Sequence, residues 1–88
     1  MKNLDFYIYI SGEILKNKKK IKIVIHDFEG DWQILDSWKV KESNLKLISM
    51  QEAIELDNSI SELLDMPKGI YAEKLEFNDP WEFYRAIE

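Results

Sequence analysis

The chain contains no cysteine and only one histidine among its 88 residues. The missing cysteines exclude a disulfide framework, a thiolate zinc site and a cysteine nucleophile. A single histidine excludes any two-histidine metal motif. Long apolar runs are lacking too. The longest early run, Phe6-Tyr7-Ile8-Tyr9-Ile10, has five residues and follows Asp5. A secretory h-region needs ~7–15 apolar residues and a membrane helix ~20, so neither a signal peptide nor a membrane span is expected. With no cysteine to argue for an oxidising compartment, the expected location is the cytoplasm. There is no Gly-x-Ser-x-Gly elbow of the kind that presents a serine nucleophile, and no internal repeat, low-complexity segment or linker.

What is present points to a small folded domain. The hydrophobic fraction of 45% is too high for a disordered chain, and 88 residues are too few for two ordinary domains. A single α+β domain over residues 1–88 is the expected organisation. A chain of this size buries only a little above ~60% of the surface its unfolded form exposes, so it must use nearly every large apolar side chain. Its four phenylalanines, four tyrosines and three tryptophans help, since each aromatic can bury ~150–250 Å². Charge is distributed unevenly. Residues 1–44 hold eight Lys and seven acids, a net +1, and residues 45–88 hold three Lys, one Arg and ten acids, a net −6. An acidic half repels phosphate, which argues against nucleic acid and anionic membrane as ligands and suits a cationic partner.

Periodicity places the elements. Asp5 to Ile10 is aromatic and β-branched at almost every position and reads as a strand covered on both faces, with Ser11-Gly12 as a turn or bulge. Ile21 to Phe28 alternates Ile21, Ile23 and Ile25 with Lys22, Val24 and His26, a second strand. Glu29-Gly30-Asp31 supplies a hairpin turn, and Trp32 to Leu35 returns. Asp36 to Asn44 reads as a loop or edge strand. Leu45, Leu47 and Ile48 form a short apolar run. Ser49-x-x-Glu52 has the form of a capping box, and Ser59-x-x-Glu62 repeats it. One or two short helices over about 49–65 are therefore expected, stopping before Pro67. Ile70 to Phe77 alternates as a strand. Trp81 to Ile87 fits either a last strand or a helical turn. The sum is a mainly antiparallel sheet with its helical segment inserted before the last strands.

Four constellations invite a chemical reading. Asp27-Phe28-Glu29-Gly30-Asp31 alternates carboxylates around a glycine, but a calcium loop needs its glycine where Trp32 stands and a glutamate where Trp38 stands; a solvated hairpin turn fits better. His26 lies next to Asp27, yet neighbours on a strand point to opposite faces, which favours a structural or surface histidine. The lysine run Lys16 to Lys22 lacks arginine and interleaved aromatics, so it reads as a loop and strand edge rather than a nucleic-acid site. The three tryptophans divide: Trp32 alternates into the core, whereas Trp38 and Trp81 sit beside acidic loops. Exposed tryptophan anchors protein interfaces, so Trp38, Trp81, Asp79, Glu82, Glu29 and Asp31 are the candidate partner-binding residues. No catalytic, cofactor or metal residue is assigned.

The stretches His26-Asp27-Phe28-Glu29-Gly30-Asp31-Trp32-Gln33-Ile34-Leu35, Leu47-Ile48-Ser49-Met50, then Ile54 and Leu56-Asp57-Asn58-Ser59-Ile60-Ser61-Glu62-Leu63-Leu64-Asp65-Met66-Pro67-Lys68-Gly69, with a later Trp81, resemble small bacterial proteins of uncharacterised families. Their layout is similar to the DUF2185, or immunity protein 33-like, group. The likeness runs over about residues 22–84. Ile34 stands where that group carries phenylalanine, Asp36-Ser37 replaces a glycine-containing turn, and Asn58 replaces proline. The resemblance implies a protein that binds and neutralises a cognate toxin, with no catalytic residue to carry over. The leading expectation is accordingly a non-enzymatic cytoplasmic binding module for a basic protein such as a toxin. The alternative is a small ligand-binding or enzymatic domain using His26 with nearby carboxylates. A third is a homodimer formed by edge-strand pairing.

Overall fold

A computed structural model of the protein describes residues 3–17 and 19–86. Six strands and two short α-helices follow in the order β1 (Tyr7–Ser11), α1 (Gly12–Leu15), β2 (Ile23–His26), β3 (Trp32–Leu35), β4 (Leu45–Ser49), α2 (Met50–Leu56), β5 (Ile70–Glu73) and β6 (Glu82–Arg85). Two 3₁₀ segments, Glu42–Asn44 and Asn58–Leu63, precede β4 and follow α2. All six strands form one mixed sheet in the order β4-β1-β3-β2-β5-β6. Only β1 and β3 run parallel; the other four pairings are antiparallel. The architecture is α+β, as the sequence patterning predicts.

Strand alternation sends one set of side chains to each face. Across the middle of the sheet Ile10 pairs with Ile34, Ile34 with Val24, and Val24 with Ala72, and all four are 0% exposed. This rank is the centre of the core. Met50 and Ala53 of α2, Ile60 and Leu63 of the 3₁₀ segment, and Met66 close over it. The opposite face has no helical layer. Ile23 and Leu35, paired directly, are buried there, but much of the rest is open.

Several local expectations need revision. β1 is covered on one face only: Ile8 and Ile10 point into the core, while Tyr7 is 72% exposed. A run that is apolar at every position conceals such a difference, because tyrosine tolerates water through its hydroxyl. Ser11 remains in β1, and Gly12 opens α1 rather than a turn. Residues 36–44 form a loop with a 3₁₀ turn and no strand. The first capping box is complete, with Glu52 N–H donating to Ser49 Oγ at 3.1 Å and Ser49 N–H donating to Glu52 Oε1 at 3.0 Å. The second is not used. Asp57 caps the 3₁₀ segment instead, accepting from Ser59 N–H at 3.0 Å, because its short carboxylate lies two residues nearer the free donors. β5 ends at Glu73, four residues before the expected Phe77, and residues 82–85 resolve as a strand. Ile87 lies outside the described residues.

The β2–β3 hairpin follows turn chemistry. Gly30 N–H donates to Asp27 O at 3.0 Å, and Gly30 takes φ 94°, the left-handed region that closes a type I turn with a glycine bulge. Asp27 Oδ1 accepts from the N–H groups of Glu29 at 3.0 Å and Asp31 at 2.9 Å. The carboxylate that suggested a calcium ligand is a turn-former.

Candidate functional site

The open face of the sheet carries a row of side chains spanning all six strands. Leu47 pairs with Tyr9, Tyr9 with Gln33, Gln33 with Ile25, Ile25 with Tyr71, and Tyr71 with Tyr84. Tyr7 lies one step along the same face. Leu47 is 60% and Tyr9 39% exposed. Scattered apolar side chains on a surface mean little, but a row of aromatic and aliphatic groups interrupted only by Gln33 marks an interaction surface.

Trp38 extends the stripe from the loop after β3. It is 54% exposed, meets Tyr71 edge-on with centroids 5.0 Å apart, and donates Nε1–H to Glu73 Oε2 at 2.9 Å. Tyr71 in turn stacks on Tyr84 at 5.3 Å. Glu73 and Glu82 sit directly opposite each other on β5 and β6, an arrangement that is repulsive in itself. Aromatic donors relieve it: Trp38 holds Glu73, and Tyr84 Oη–H donates to Glu82 Oε2 at 2.8 Å. The bond to Glu82, followed by that carboxylate's charge, pushes the Tyr84 phenol above its usual pKa. At the other end of the stripe, Asp27, Glu29, Asp31 and Glu42 line a cleft of ≈ 390 Å³ together with Tyr9, Gln33 and Leu45. The stripe therefore runs between two acidic ends.

Of the six candidate partner-binding residues, five border this face: Trp38 and Glu82 at one end, where Asp79 shares a cleft of ≈ 280 Å³ with Glu73, Glu82 and Tyr84, and Glu29 and Asp31 at the other. Asp79 and Trp81 lie in the loop between β5 and β6. Asp79 Oδ2 accepts from Glu76 N–H at 3.0 Å and braces that loop. Trp81 is only 9% exposed and belongs to the core; what remains accessible of it lines, with Asp57, Ser59 and Asp79, an open cleft of ≈ 520 Å³.

Trp81 also covers a buried lysine that patterning overlooks. Lys74 Nζ donates to Asp57 Oδ2 at 2.9 Å, Ser59 Oγ at 3.1 Å and Phe77 O at 2.9 Å. It also lies 4.5 Å from the Trp81 ring and 5.1 Å from the Phe77 ring. Burial works to raise the Asp57 carboxyl, but the bonds from Lys74 and Ser59 prevail and hold it below the ordinary value of 3.8. A serine touching a lysine suggests a nucleophile and its base. The valences argue otherwise. All three ammonium protons are spent, and Ser59 Oγ–H donates to Asp57 Oδ1 at 2.8 Å while also accepting from Trp81 Nε1–H at 3.0 Å. The cluster is a structural clasp holding the 3₁₀ segment to the end of β5. Its signal in the sequence is parity: Lys74 follows Ile70 and Ala72 on the core side of β5.

No protein-family model, curated protein or solved structure matches the chain.

His26 is also placed by packing. Its ring lies flat on Trp32, with centroids 4.1 Å apart and planes 8° from parallel. Nδ1 is 2.7 Å from Met66 O, and since a carbonyl can only accept, Nδ1 carries the proton. Its neighbour Asp27 is directed into the hairpin turn. Among the described residues no group of three or more His, Asp or Glu side chains converges to hold a metal ion, and no helix is long and apolar enough to cross a membrane.

Proposed function

We propose that the protein is a non-enzymatic binding module that docks a basic protein surface on the open face of its sheet. The observation that carries this reading is the row of exposed Leu47, Tyr9, Tyr84 and Trp38 with half-buried Tyr71, bordered by carboxylates at both ends. Aromatic side chains supply contact area and anchor points, while the acids steer a cationic partner and fix its register. Like charge on the two faces opposes stacking one copy's open face on another's, which favours a basic partner for this surface. The resemblance to the immunity protein 33-like group narrows the partner to a cognate toxin, met in the cytoplasm; the absence of cysteine suits a reducing compartment.

The test is capture of partners from a lysate of the source organism by the tagged protein. The expected catch is a protein of basic pI that elutes as salt rises and is lost when Tyr7 and Leu47 are both replaced by Ser. Absence of a partner at low salt, or capture indifferent to that double replacement, would refute the proposal. A large secreted toxin encoded beside this gene would identify the target.

A further inference from the structure

We propose that β6 is a self-complementary edge through which two copies of the chain pair, joining their sheets into one of twelve strands about a two-fold axis at Tyr84.

The ladder between β5 and β6 decides which backbone groups are free. Ala86 N–H donates to Gly69 O at 2.7 Å, and bonded pairs in an antiparallel ladder recur at every second residue. Tyr84 and Glu82 therefore turn their backbone groups toward Tyr71 and Glu73. Phe83 and Arg85 turn theirs outward, to the free edge. All four residues of β6 are exposed; Glu82 and Arg85 carry charge, but neither a lysine nor a proline, the stronger protections of a sheet edge, is present. The other edge, β4, does carry a lysine, Lys46.

Three antiparallel registers let outward groups meet outward groups. Pairing Arg85 with Arg85 of a second copy sets like charges opposite each other. Pairing Phe83 with Phe83 sets Glu82 against the second copy's Tyr84, whose hydroxyl already holds its own Glu82, so two carboxylates would share one donor. Pairing Phe83 with Arg85 avoids both conflicts. It places each guanidinium beside an aromatic ring on the helix side, a favourable cation–π arrangement. Glu82 then faces Ala86, and Tyr84 faces Tyr84. On the open face the Leu47–Tyr9–Gln33–Ile25–Tyr71–Tyr84 row continues through the axis into its copy. This inference is independent of the identity of any foreign partner.

The experiment is sedimentation velocity over micromolar to millimolar concentration. The wild type is expected to reach twice the 10.5 kDa chain mass. Phe83→Pro removes an N–H that points outward, so the β5–β6 ladder survives, and the variant should stay monomeric with an unchanged circular dichroism spectrum. Leu47→Pro is the matched control. Met50 N–H donates to Phe6 O at 2.9 Å, so by the same alternation Leu47 points outward on β4, and this variant should still dimerise. Arg85→Glu, an exposed side chain on a residue whose backbone N–H and C=O point away from β5, should weaken the dimer at least tenfold and provides the same test if Phe83→Pro fails to fold. A wild type that stays monomeric throughout, a dimer that survives Arg85→Glu, a dimer lost only in Leu47→Pro, or assembly beyond two copies overturns the proposal.

Discussion

At the scale of single residues, the side chain with the most at stake is Lys74. Its ammonium is out of water, so its stability depends on three acceptors and two ring faces being in place. Lys74→Met keeps the length of the stem but strips the charge from a site built for it, leaving Asp57 buried with only Ser59 to satisfy it. Breaking one half of such a pair costs about 3–5 kcal/mol, to be read from urea denaturation. Replacing both partners, Lys74→Met with Asp57→Leu, should recover part of that loss, because an apolar pair leaves no orphaned charge. The same clasp sets a pH dependence. Asp57 has a lower pKa folded than unfolded, so the folded state binds fewer protons at this site through the intervening range. Its contribution is complete above the ordinary value of 3.8 and drains away as pH falls through the folded value. Acid denaturation of Asp57→Asn should accordingly begin from a lower stability and fall less steeply below about pH 4 than the wild type does.

At the scale of elements, local chemistry accounts for most boundaries, and the exceptions have physical causes. The Ser49 box, the glycine turn after β2 and the alternation of β2 and β3 are legible because each depends on residues within a few positions of one another. The Ser59 repeat has the same letters as the Ser49 box and fails, because Asp57 competes for the same donors and Ser59 is drawn to Lys74 fifteen positions away. β5 stops early because the chain bends just after Lys74, whose N–H still reaches Lys22 O at 2.9 Å, into a turn closed by Asp79 N–H to Glu76 O at 3.1 Å. The acidic ends of the candidate surface could be named from the residues. Its centre could not, because Leu47 and Tyr9 at one side and Tyr71 and Tyr84 at the other fall into one row, with Gln33 and Ile25 between them, only through the strand order, which places β1 between β3 and β4. Gly69 is a further element-scale determinant. It sits at φ +83°, a Cβ there would lie 2.7 Å from Phe28 Cε1, and its N–H and C=O engage His26 O and Ala86 N–H. It thus joins the start of β5 to both the β2 end and the β6 end. Gly69→Ala forces a left-handed residue and displaces the Phe28 ring, at a cost of about 1–3 kcal/mol. The loss should register as a lowered thermal midpoint.

At the scale of the whole molecule, the two faces of one sheet do different work, and stability measurements can separate them. On the helix side, the Ile10–Ile34–Val24–Ala72 rank is inaccessible and has nowhere to relax, so Ile34→Ala should cost about 2–5 kcal/mol. On the open side, Tyr7 and Leu47 already stand largely in water, so truncating them removes little that folding had buried. Tyr7→Ser and Leu47→Ser should each change stability by no more than about 0.5 kcal/mol. A domain this small has few apolar residues to spare, and gathering several into one row on a surface where they do not stabilise the fold suits a docking surface. The decisive pattern is thus a dissociation between two readouts. Denaturation midpoints should move with Ile34 and not with the stripe, whereas partner capture should fail with the stripe while the fold remains intact. If Tyr7→Ser and Leu47→Ser instead destabilised the protein as much as Ile34→Ala, the open face would be part of the scaffold, and its aromatic row would have no claim to be a docking surface.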